Sequence, residues 1–143
     1  MKDLIDALKL NLYECELFDI DEGKLLSLKN YDYFIKNKFY FFLINKLHYY
    51  EEEKMIKELA YCHYLISYFL FIILTPLEYE GLSFYHIKKA VELDNNIHYK
   101  EWYLIFSTLP IPYIKTCDAI KIAEEVIKNN SESNIAKVIL SMY

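Results

Sequence analysis

Apolar residues recur along most of this chain at helical spacing. From Tyr31 the apolar positions run Tyr31, Phe34, Ile35, Phe39, Phe42, Leu43, Leu47 and Tyr50, stepping by three, one, four, three, one, four and three. That is the stripe of an amphipathic helix. The aromatic residues in it favour strands intrinsically, so a strand at FYFFLI is the competing local choice, but the period outweighs the propensity. Upstream, Leu4, Ile5, Leu8, Leu12 and Cys15 share the same spacing and predict a helix from about Lys2 to Phe18. The polar run Asp19 to Gly23 predicts the turn that ends it.

A third helix is predicted to open at Glu51-Glu52-Glu53, where acids complement the N-terminal end of a helix dipole. It would continue to about Leu74 and stop at Thr75-Pro76. Within it, LAYCHYLISYFLFIILTPL from Leu59 to Leu77 carries no fixed charge. That length is close to what a bilayer span needs. Its flanks, Glu58 and Glu78, show no lysine bias, and His63, Ser67 and several tyrosines interrupt it. It therefore reads as a central helix covered on most sides, with a membrane-associated segment as the alternative. Four further helices are expected: about Leu82 to Leu93 after Gly81 as a breaker, His98 to Leu109 before Pro110 and Pro112, one capped by Thr116 or Asp118 and running to about Lys128, and one after Ser131 or Ser133.

The sum is an all-α chain, residues 1–143 forming a single helical domain of six or seven helices in stacked antiparallel hairpins. Composition agrees. Only two glycines and three prolines are present in 143 residues, too few for an all-β fold with many tight turns. A chain of this length buries roughly 70% of its unfolded surface, enough for a core without disulfides or metals.

Two Asn-Asn corners, Asn95-Asn96 and Asn129-Asn130, lie 34 residues apart. With KKAVELDNN before the first, the small residues Ser83 and Ala90 seven apart, Trp102 or Tyr103 after the corner, and DAIKIAEEVIKNN at Asp118 to Asn130, residues from about Ser83 to Tyr143 resemble tetratricopeptide repeats, whose period is also 34. The resemblance implies paired helices stacked around a concave binding groove. It departs from the family where Asn95 replaces the corner proline and where bulky Phe71 or Phe106 stands near the expected glycine. Plain antiparallel helix pairs with Asn-rich corners account for the same residues.

Charge narrows the function. All 16 basic residues are lysine, and 21 acids leave a net charge of −5. Without arginine or a basic face, direct reading of DNA or RNA is not expected. The acids concentrate in two clusters: Asp3, Asp6, Glu14, Glu16, Asp19, Asp21 and Glu22, and then Glu51, Glu52 and Glu53. Fifteen tyrosines are hard to bury, because each hydroxyl needs a partner, so several should lie at the surface as contact residues. Acids with exposed tyrosines suit a surface that binds a basic protein.

No catalytic or cofactor signature is present. Two isolated glycines cannot form a phosphate loop, and His-Glu-x-x-His is absent. His48 and Glu52, four apart, are two potential ligands and not a metal site. His63 beside Cys62 lies in the most apolar segment and reads as a structural histidine. Cys15, Cys62 and Cys117 are expected to be reduced and mostly buried. Met1 to Leu10 does not resemble a signal peptide, so a cytoplasmic location is expected.

Abundant Lys, Ile, Asn, Tyr and Phe without Arg point to an A/T-rich gene. Small, acidic and of this composition, the chain resembles in kind a bacterial immunity protein. The resemblance implies a non-enzymatic inhibitor without cofactor or metal that occludes a basic toxin such as a nuclease. A helical-repeat scaffold that grips a peptide, and a small membrane-associated protein, are the alternatives.

Overall fold

The computed structural model describes residues Met1–Tyr143, whose regular secondary structure is all helical, with no strand. Eight α-helices follow in order: α1 (Lys2–Leu8), α2 (Glu22–Leu26), α3 (Tyr33–Glu52), α4 (Ile56–Tyr68), α5 (Tyr79–Leu93), α6 (Ile97–Ile105), α7 (Thr116–Asn129) and α8 (Asn134–Met142). A 3₁₀ turn covers Leu17–Asp19, and a π-helical turn, Phe69–Leu74, extends α4. The segment FYFFLI is helical, as its period demands.

Short polar side chains start four of the helices by accepting otherwise unpaired N–H groups. Asp21 accepts from Lys24 N–H at 2.9 Å, Asp32 from Ile35 N–H at 3.1 Å, Asn96 from His98 N–H at 2.8 Å and Ser133 from Ala136 N–H at 3.5 Å. Residues Asp19 to Gly23 therefore do not simply end a helix. Asp21 caps a new one, α2, which accounts for the helix beyond the six or seven expected. The first helix is shorter than its apolar spacing suggests: Lys9, with φ 54°, stops it.

Glycine does none of the left-handed work. Lys9, Lys54, Thr75 and Glu78 hold positive φ, and neither glycine does. Gly81 lies inside α5 and does not precede it. Glu51 and Glu52 close α3 and Glu53 caps its C-terminus, so these acids end one helix and do not open the next.

Contacts divide the chain into two compact units, Met1–Leu93 and Asp94–Tyr143. In the first, α4 packs between α3 and α5. Phe39 and Phe69 meet edge to face at 5.1 Å, and the Cys62 thiol donates to the Leu43 carbonyl at 3.3 Å, so α3 and α4 run antiparallel. Along the other side of α4, Ala60, His63 and Ser67 face Ala90, His86 and Ser83, all buried. Small residues on both helices let their backbones approach, and Ser67 Oγ–H donates to the Ser83 carbonyl at 2.7 Å. Ile66, Leu70 and Ile73 are buried, as a covered central helix requires. The stretch Ile56–Leu74 is also long and apolar enough to cross a membrane, and 61% of its 18-residue apolar window is buried inside the fold.

In the second unit α6, α7 and α8 pack on one another. Lys100 is buried there. Its ammonium donates to Asn95 and, at 2.7 Å, to Glu125, tying the Asn-Asn corner to α7. Ser133 donates to Glu101 at 2.7 Å. Ala119, Ala123, Val126, Ala136 and Ile139 form the buried stripes.

Candidate partner-binding surface

The ten acids singled out by sequence divide by what they touch. Asp3 pairs with Lys38 at 2.6 Å and with the terminal ammonium at 3.4 Å. The Lys38 hydrogen bond holds its carboxyl down at about 2. Asp19 accepts from Glu16 N–H at 2.9 Å and closes the 3₁₀ turn. Asp21 is a helix cap, and Glu22 accepts from the Tyr64 hydroxyl. These four have partners within the fold, and Glu22 alone reaches α4. Of the other six, Asp6, Glu14, Glu51, Glu52 and Glu53 are exposed, and Glu16, also exposed, shares the capping box of the 3₁₀ turn with Asp19. Asp3 and Asp6 sit on α1, Glu14 to Asp21 on the connection around the 3₁₀ turn, Glu22 at the start of α2, and the glutamate triplet at the end of α3.

Burial explains the behaviour of the tyrosines beside these acids. Tyr61 donates to the Ile20 carbonyl at 2.6 Å, and burial, reinforced by Glu22 and Asp21, pushes its hydroxyl up to about 12. Tyr50 is also raised to about 12, mainly by burial. Tyr64 is raised by burial and by its bond to Glu22. Tyr13, Tyr31, Tyr33, Tyr49 and Tyr85 remain exposed, as the tyrosine surplus predicts.

Sequence spacing alone misses two concave features. The first is a groove of about 430 Å³ between α1 and α3, with Met1, Leu4 and Phe42 in its walls. Phe34 and Phe41 line it while 65% and 62% exposed. The α3 stripe predicts a covered Phe34. In the structure only Phe39, Leu43, Leu47 and Tyr50 of that stripe are buried, because α4 covers one narrow face of a long helix.

The second is a cleft of about 410 Å³ bordered by the end of α3, α4 and α5. Leu47, Leu59 and Leu93 supply its apolar walls. Its polar lining is His48, Glu51, His63, Tyr85, Lys89 and Glu92. His48, Glu51 and Glu52 also border an adjoining open depression. His63, only 7% exposed, forms part of the lining, and its Nδ1 meets His86 Nδ1 at 2.9 Å. One ring must donate and the other accept, so the two neutral imidazoles hold complementary tautomers. Burial, with Lys89 nearby, lowers His63 to about 4. Burial and His63 lower His86 to about 3.

Cys62 is buried and its thiol is pushed up by that burial, whereas Cys15 is half-buried and Cys117 exposed. All three are free, but only one has the burial expected of it. No three His, Cys, Asp or Glu side chains are grouped to hold a metal ion. Comparison of the chain with protein-family models, with curated proteins and with solved structures finds no match.

Proposed function

We propose that this chain is a non-enzymatic protein–protein binding module, a small acidic inhibitor that occludes a basic partner in the manner of an immunity protein acting on a nuclease toxin in the cytoplasm. One observation carries the proposal. Glu51, Glu52 and Glu53 are exposed and unpaired at the C-terminal end of α3, where the helix dipole is negative. Acids at that end weaken a helix. Side chains kept at a local cost to stability fit a role outside the fold. Glu51 also lines the cleft bordered by α3, α4 and α5, and Glu52 the depression beside it.

Exposed carboxylates steer a basic partner into encounter, and buried aromatic anchors slow its departure. The test is association kinetics with a partner captured from the source cell or encoded by the neighbouring gene. Neutralising Glu51, Glu52 and Glu53 to Gln, or Asp6 and Glu14 to Asn and Gln, should lower the on-rate and flatten its salt dependence at constant helicity. Unaltered rates and salt slope in both variants would sink the inhibitor reading.

The aromatic groove between α1 and α3 supports a second reading, a scaffold that grips a peptide. In that case Phe34→Ala and Phe41→Ala accelerate dissociation, and acid neutralisation leaves both rates unchanged.

A further inference from the structure

The cleft bordered by α3, α4 and α5 combines apolar walls with a polar lining in which two carboxylates face one ammonium, that of Lys89. Glu51 and Glu92 offer carboxylate acceptors. His63 Nδ1 is engaged by His86, so Nε2 is the polar atom that this nine-tenths-buried ring has left for the cleft. Glu51 and Glu92 outweigh Lys89 by one negative charge, and Glu52 stands in the adjoining depression. Leu47, Leu59 and Leu93 can cover an aliphatic stem. Tyr85 is 55% exposed and offers a ring face for a planar cation, a position that Lys89 Nζ now shares at 5.7 Å from the ring centroid.

We propose that this cleft receives an arginine side chain of a basic protein partner, its guanidinium bridging Glu51 and Glu92 with His63 Nε2 as a third acceptor. The proposal rests on the reading of the chain as a binder of a basic protein and names the contact. A guanidinium suits three acceptors lining one cleft better than an ammonium does, because its five donors lie in one plane. Binding selects one tautomer of the histidine pair: His63 Nδ1–H donates to His86 Nδ1, and Nε2 presents its lone pair to the cleft. An imidazole that stays neutral at pH 7 does not repel the incoming cation. Lys89 holds the site in the free protein and must swing away.

The test uses N-acetyl-arginine amide as the probe and nitrogen-15 resonances of the histidine rings as the readout. Saturable shifts at His63 Nε2 are expected, with a Kd of about a millimolar. N-acetyl-lysine amide should bind more weakly, and the uncharged citrulline analogue should leave the ring unmoved. Glu92→Gln should weaken arginine binding about two- to fivefold, and Lys89→Met should tighten it by a similar factor. Equal response to citrulline, silence at His63, or the same Kd in both variants would overturn the proposal. If the probe fails while the glutamate triplet still controls association with the partner, the cleft is eliminated and the inhibitor reading stands. If the probe binds while no acid affects association, the cleft stands and the inhibitor reading falls.

Discussion

His63 and His86 meet through their Nδ1 atoms at 2.9 Å inside the seam between α4 and α5. Around them the seam is built from Ala60, Ser67, Ser83 and Ala90. Two imidazoles so placed share a single proton between facing nitrogens, and a second proton there would set two N–H groups against each other and leave one buried ring positively charged. Burial of both rings makes the neutral pair the favoured state of the seam. Ser83 Oγ, fully buried one helical turn away, has no hydrogen-bond partner, so this interface already carries one polar cost.

The histidine pair makes stability depend on mild acid. In the unfolded chain both rings titrate near 6.5, and in the fold they titrate at about 4 and about 3. The unfolded state binds more protons between these limits, so the contribution is complete above pH 6.5 and is lost as pH falls toward 4 and then 3. Unfolding free energy from urea titrations should drop by about 2–4 kcal/mol between pH 7 and 5. A His63→Leu/His86→Leu variant should show a flatter profile over the same range. Identical profiles would mean that the rings are accessible to protons in the fold.

Leu70, buried within the π-helical turn, tests the central position of the apolar stretch. Leu70→Ala should cost about 2–5 kcal/mol of unfolding free energy in detergent-free buffer. Little loss, or a need for detergent to keep the protein dispersed, would favour the membrane-associated alternative.

Acids with a structural duty should separate from acids without one. Asp21→Ala and Asp32→Ala remove helix caps and should each cost about 1 kcal/mol. Glu51→Gln and Glu52→Gln relieve repulsion at the end of α3 and should each raise stability by about 0.3–1 kcal/mol at low salt. Thermal unfolding of the four variants checks both signs. Destabilisation by either glutamine would give these glutamates a role in the fold and weaken the case for a role outside it.

Thr75 is a β-branched residue at φ 43°, between the π-helical turn and Pro76. Its N–H reaches back to the Leu70 carbonyl at 3.0 Å, which holds it in the left-handed region. Thr75→Gly should relieve about 1–2 kcal/mol of strain, and the exposed side chain has little packing to lose. A decrease in melting temperature would show that the hydroxyl or methyl makes a contact that outweighs the strain.

The helical class was legible because local periodicity and a shortage of turn residues both act within a few residues of chain. The apolar step pattern placed α3 within two residues, and Thr75-Pro76 marked the end of the central helix. Asn96 and Ser133 stood where helices begin, because a short polar side chain meets a nearby N–H without any tertiary help. Local signals failed where two outcomes were close in energy. Glu51 to Glu53 read as a helix start because acids favour that end, yet the apolar stripe of α3 runs through Tyr50 and carries the helix on to end at Glu52. The clustering of acids was visible, but which of them are free was not. Asp3 is engaged by Lys38, 35 residues away, and Glu22 by Tyr64, 42 residues away. The cleft belongs wholly to tertiary structure: Glu51, His63 and Glu92 come from three helices and share no spacing. Period and capping are properties of neighbouring residues. Pairing and concavity arise only when distant faces are buried against each other.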